Sequence, residues 1–189
     1  MLFVLSWCLL AGLTAIGQEN GRFAGLKAQA LEYFQRGQYA QVAGKLEEVW
    51  EQDQTDPKVA EYLAMGYLYG ESDAKKAEPV MLAAIAHGGQ ATFLVQHSHE
   101  RSTILSGDTM NNYCTGRISV ANGKMDFIAD STDHSATFLA PDLKEFRILN
   151  GSAGRFQIKS GAKTSVFRVK SQTRDEAALL ERLARQNLK

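Results

Sequence analysis

The chain has 189 residues, 44% hydrophobic and 22% charged with only three prolines, the composition of a globular protein rather than a disordered one. Lys+Arg and Asp+Glu each number 21, and a zero net charge speaks against a duplex-DNA binder, which needs basic excess to displace counterions. The two cysteines are Cys8 and Cys114; if the first leaves with a leader, no internal disulfide is available and core packing must hold the fold.

Residues 2–17 carry no charge, and the apolar run from Leu2 to Leu10 has the length of a signal core. Ala15-Ile16-Gly17 supplies small residues at the two positions a signal peptidase reads. The segment 1–17 is therefore expected to be a secretory leader cut before Gln18, placing the mature chain in the periplasm or outside the cell. No Lys or Arg precedes the apolar core, a departure from the usual pattern. An uncleaved membrane anchor is the alternative, although about sixteen apolar residues fall short of the ~20 that span a bilayer.

Residues 18–90 read as a helical module. Phe23, Leu26, Ala30, Tyr33 and Phe34 fall on one face of a first helix ended by Gly37. A second runs from about Tyr39 to Asp53 with Val42, Leu46, Val49 and Trp50 on its apolar side. Asp56-Pro57 supplies an N-cap and an N1 proline for a third, which carries Val59, Ala60, Leu63, Ala64 and Tyr67. The fourth runs from Ala74 to His87 before Gly88-Gly89, with Pro79 expected to kink or restart it. The pairs Ala30/Ala64, Tyr33/Tyr67, Leu46/Val80 and Val49/Ala83 are each 34 residues apart. Helical hairpins at that period resemble tetratricopeptide repeats, with Tyr33, Gly37, Tyr39 and Leu46 at the repeat's aromatic, glycine, tyrosine and apolar positions. The resemblance implies protein or peptide binding, with Tyr33, Tyr39, Tyr67 and Tyr69 as partner contacts; a platform that only packs against the rest of the chain is the alternative.

Beyond Gly89 the period becomes two. Residues 18–90 hold 7 basic and 11 acidic side chains and residues 91–189 hold 14 and 10, which supports a boundary near residue 90. Strands are expected over Thr92–Ser98, Tyr113–Val120, Lys124–Ile128, His134–Ala140, Lys144–Leu149, Arg155–Ser160 and Thr164–Lys170. Asn122-Gly123 joins the second and third as a hairpin, both turn positions needing positive φ. Ile118, Val120, Met125 and Phe127 would share the buried face. A final helix opens on a capping box, Thr173 to Glu176, and carries a stripe of Ala177, Leu180, Leu183, Ala184 and Leu188. Seven strands followed by one amphipathic helix resemble the pleckstrin-homology-like barrel, including its GRAM-type relatives. That resemblance implies, over 91–189, an antiparallel β-barrel plugged by the helix, and lipid-headgroup or peptide binding. The family's basic phosphoinositide motif in the first hairpin is missing, Arg117 standing almost alone there.

Three features bear on chemistry. His97 and His99 form an H-x-H pair whose imidazoles share one face of a strand, a spacing that metal sites use, with His134, His87 or Cys114 as a third ligand. Arg155, Lys159, Arg168 and Lys170 alternate with Phe156, Ile158, Phe167 and Val169, making an outward basic stripe suited to an anionic ligand or membrane surface. Asn150-Gly151-Ser152-Ala153-Gly154 approaches a nucleophile elbow but lacks its first glycine and lies between strands, so it reads as a turn. No phosphate loop, HExxH, CxxC or dinucleotide fingerprint implies a cofactor. The combined expectation is an α+β, exported, non-enzymatic binding or scaffold protein: leader 1–17, tetratricopeptide-like module 18–90, barrel with terminal helix 91–189. The alternatives are a metal-binding protein or enzyme built on His97 and His99, and an anionic-membrane-surface module. Nucleic acid is not an expected partner.

Overall fold

The computed structural model describes residues 21–99, 113–131, 134–149 and 154–188. The proposed leader and the Asn150–Ala153 turn lie outside those residues. Four helices come first: α1 over 21–35, α2 Tyr39–Gln52, α3 Pro57–Gly70 and α4 Ala74–Ala86. Asp56 caps α3 by accepting hydrogen bonds from the Lys58 and Val59 amides, and Asp73 caps α4 through the Lys75 and Lys76 amides. These caps satisfy donors that every helix start leaves without an internal partner. The expected apolar faces are buried, with Val42, Leu46, Val49, Leu63 and Ala64 at 2% exposure or less. Helices α2 and α3 approach closely because α3 offers glycine: a Cβ on Gly70 would lie 2.3 Å from the Ala40 amide nitrogen. Helix α4 runs through Pro79 as one element, without the expected restart. Pro79 is exposed, so the Lys75 carbonyl that loses its amide partner faces the solvent side. Gly88, at φ +82°, then closes the helix as the Gly88 and Gly89 amides donate to the Ile85 and Ala84 carbonyls.

All seven expected strands are present: β1 Ala91–Ser98, β2 Tyr113–Ala121, β3 Lys124–Ala129, β4 Ser135–Leu139, β5 Leu143–Ile148, β6 Arg155–Ser160 and β7 Lys163–Val169. They form one antiparallel sheet in the order β4-β3-β2-β1-β7-β6-β5. The expected closed barrel is not formed, because β4 and β5, at the two ends of that order, are not paired. They are nevertheless joined in sequence by the short 3-10 turn Ala140–Asp142, which draws the sheet's ends together at one corner and then sends β5 off to pair with β6. The sheet is curled but open. Its inner face is apolar, with Phe93, Ile118, Val120, Met125, Phe156, Ile158, Phe167 and Val169 all fully buried.

The last helix, α5 (Arg174–Asn187), covers that face. Its whole expected stripe is buried, and Leu179 is buried as well, as fits a helix that meets both the sheet and α4. Thr173 caps it by accepting from the Glu176 amide at 3.3 Å. The capping box is only half made, however, because the Glu176 carboxylate turns away from the helix start. It accepts from the Ser171 amide and hydroxyl and from the Tyr69 hydroxyl.

That contact belongs to a set of polar links that tie the N-terminal helices to the sheet and to α5. Where β1 and β7 part after Val95↔Val169, Tyr69 fills the gap: its hydroxyl accepts from the Leu94 amide at 2.7 Å and donates to Glu176 at 2.6 Å. Glu61, 6% exposed, accepts from Lys58, Gln90 and Thr92. Arg182 grips Glu78 through two hydrogen bonds of 2.8 and 2.7 Å. Among the described residues no helix is long and apolar enough to cross a membrane.

Candidate metal centre

The inner face of the sheet is apolar along most of its length and becomes nucleophilic at one end. In the β1–β2 register His97 stands directly opposite Cys114, and parity puts Cys114 on the buried face with Ile118 and Val120. His99, two residues beyond His97, follows the end of β1. His134 immediately precedes β4, its carbonyl accepting from the Ala129 amide at 3.1 Å. Continuing the register, His134 lies opposite Ala129, which lies opposite Gly116. The two residues between His134 and β1 are thus small, and the imidazole can lean across them toward Cys114. Gly116 has no room for more: an added Cβ would meet the Ile128 carbonyl oxygen at 2.4 Å.

As a result His97, His99, Cys114 and His134 each offer one ligand atom, all within 4.8 Å of one another. The His97 Nδ1 and Cys114 Sγ atoms are 3.8 Å apart, and the rings of His99 and His134 have centroids 4.6 Å apart. Around tetrahedral zinc, bonds of ~2.0–2.1 Å to nitrogen and ~2.3 Å to sulfur put neighbouring ligand atoms roughly 3.3–3.6 Å from each other. Side-chain movements on the order of 1 Å would close the set onto one ion, so the residues fit a metal.

The four groups differ in surroundings. Cys114 is 7% exposed. His97 is half-buried, its ring against Phe127 at 5.2 Å and Phe167 at 5.0 Å. His99 and His134 are exposed. Burial above all, then repulsion from His99, His134 and Lys163, pushes the His97 imidazole down to about 4, which leaves it neutral and able to donate a lone pair at neutral pH. The H-x-H pair was legible in sequence, and the structure adds Cys114 and His134 to it. His87 is placed elsewhere, at the C-terminal cap of α4.

The remaining candidate residues are distributed otherwise. Tyr33, Tyr39, Tyr67 and Tyr69 are all half-buried. Tyr69 uses its hydroxyl at the helix–sheet junction, and burial, with Glu176 nearby, raises its pKa well above the ordinary value. Tyr67 holds a Lys76 ammonium over its ring at 5.2 Å. Tyr39 packs on Phe34 and Tyr69, and Lys170 sits over its face at 5.3 Å. In the basic stripe, Arg155 and Arg168 face each other across β6 and β7, Arg168 lies over the Tyr113 ring, and Lys159 and Lys170 are exposed. Tyr39, Tyr69, Lys75, Lys170, Asp175 and Arg182 help line a crevice of about 780 Å³ between the helices and α5. Sequence reasoning missed the Tyr69–Glu176 pair, for which the misused capping-box glutamate was the only local trace.

No protein-family model matches the chain, and no curated protein does. A solved structure that it resembles is the C-terminal domain of an unknown protein from Leishmania infantum, 13% identical, with a TM-score of 0.37 over 52% of this chain and 82% of that one. A likeness that slight informs neither fold nor function.

Proposed function

We propose that this is an exported, non-enzymatic binding protein that holds one zinc-class transition metal ion at the open end of its sheet. The observation that carries the reading is the convergence of His97, His99, Cys114 and His134 within 4.8 Å from three separate stretches: the end of β1, the start of β2 and the approach to β4. Three imidazoles and a thiolate form a borderline-to-soft donor set suited to zinc or copper rather than calcium or magnesium, which take oxygen. A complete protein ligand set supports binding over hydrolysis, because catalytic zinc keeps a position open for water. The test is metal analysis of the purified chain after reconstitution and removal of excess ion. One zinc per chain, abolished in His97→Ala with His99→Ala and in Cys114→Ser, is the expected result. Substoichiometric zinc that is indifferent to these substitutions would reject the proposal.

A second reading rests on the crevice between the helices and α5. In keeping with the tetratricopeptide-like and pleckstrin-homology-like resemblances, it would receive a protein or peptide segment, with Tyr39 as an aromatic contact and Lys75 and Lys170 as cationic ones. Charge reversal of Lys75 and Lys170 should then weaken capture of an acidic peptide while leaving zinc content unchanged.

A further inference from the structure

The candidate ligands divide into two pairs by depth, and the division bears on what becomes of a bound ion. Cys114 and His97 sit on the inner face, the first 7% exposed and the second half-buried with its ring packed against Phe127 and Phe167. His99 and His134 occupy the solvent side with their rings 4.6 Å apart. In a purely structural zinc site, binding of the ion is coupled to folding itself. Here half the coordination sphere is reachable from water while the other half anchors it from beneath. An incoming thiolate or imidazole can displace one exposed histidine without disturbing the apolar interior.

We infer, resting on the metal-binding reading above, that this is a transfer site, passing its ion directly to a thiolate- or imidazole-bearing acceptor through a shared coordination sphere. The step balances. One zinc–nitrogen bond to His134 or His99 breaks as one bond to an acceptor sulfur or nitrogen forms, so the ion stays four-coordinate. Each acceptor thiol gives up its proton on binding; the Cys114 thiolate takes one up when its own bond breaks last, and a second thiol's proton passes to the solvent. No oxidant or reductant is needed, since zinc does not change valence.

The experiment uses the zinc-loaded full chain and, as acceptor, a synthetic peptide with two cysteines and two histidines that folds on taking up zinc. Zinc content is measured first: a chain that holds no stoichiometric zinc sinks the metal-binding reading itself and is recognised before any kinetics. With zinc bound, the transfer rate should rise in proportion to acceptor concentration and show no plateau. His134→Ala, which leaves one outer position to water, should transfer faster at every acceptor concentration. A rate that levels off at a constant value independent of acceptor means that the ion first escapes to solvent, and overturns the transfer inference while leaving the site intact.

Discussion

Removing one oxygen atom from the helix–sheet junction should be costly. In Tyr69→Phe the ring stays but two buried groups lose their partner: the Leu94 amide, 2.7 Å from the hydroxyl, and the Glu176 carboxylate, 2.6 Å away. Leu94 cannot recover its bond from a neighbouring strand, because β7 has already diverged and its Lys170 amide is bonded to the Leu94 carbonyl. Glu176 is 1% exposed and keeps only the Ser171 donors. Each stranded group costs about 1–3 kcal/mol, so the substitution should destabilise the chain by roughly 2–6 kcal/mol, a large share of the ~5–15 kcal/mol typical of a domain. Urea unfolding followed by far-ultraviolet circular dichroism reads both helix and sheet in one titration. Tyr39→Phe is the comparison, since it also loses a hydroxyl while keeping its ring contacts with Phe34 and Tyr69. If Tyr69→Phe stays within about 0.5 kcal/mol of the parent, the range of ordinary surface changes, the idea that this hydroxyl joins the two halves is wrong.

Other expectations follow from particular contacts. The Arg182 hydrogen bond holds the Glu78 carboxyl below its ordinary 4.5; the unfolded chain then binds the proton more readily, so this contribution is complete above pH 4.5 and is lost as acid titrates the folded group. Glu78→Gln should flatten the acid limb of stability against pH. Glu176 has the opposite sign, because burial raises its carboxyl above 4.5: stability should fall as pH climbs from 4.5 through the folded value, and Glu176→Gln should remove that slope in the same urea titrations. Gly116→Ala forces a methyl into the β3 backbone; the resulting overpacking should cost about 1–3 kcal/mol and weaken zinc retention, whereas Ala121→Gly at the far end of β2 should leave zinc retention alone. Zinc at a hundredfold excess over its dissociation constant should stabilise the chain by about 2.7 kcal/mol by mass action, a gain that differential scanning fluorimetry should register and a chelator should erase.

Much of the fold was legible because the two halves of the chain obey different periods. Helical spacing from Phe23 to His87 and alternation from Thr92 to Lys170 each leave a strong local imprint, sharpened by Asp56-Pro57, Asn122-Gly123 and the Thr173 cap. Closure of the sheet was not legible. It depends on whether β4 and β5 pair, and alternation says which face of a strand is buried but not which strand lies beside it. The same limit explains the site. His97 and His99 announce themselves by spacing within one strand. Cys114 joins them only through the β1–β2 register, and His134 only because Ala129 and Gly116 are small enough to let it lean in. The half-made capping box is a different kind of miss: Glu176 has the right position for local capping, but Tyr69 and Ser171 outbid the helix start for its carboxylate.

If three imidazoles and one thiolate from this chain surround a single ion, cobalt(II) put in place of zinc will report it. One cobalt per chain is expected, with an intense tetrahedral ligand-field spectrum and a thiolate-to-cobalt charge-transfer band that disappears in Cys114→Ser while the protein remains folded. A weak octahedral spectrum, or a charge-transfer band that survives the loss of Cys114, would contradict it.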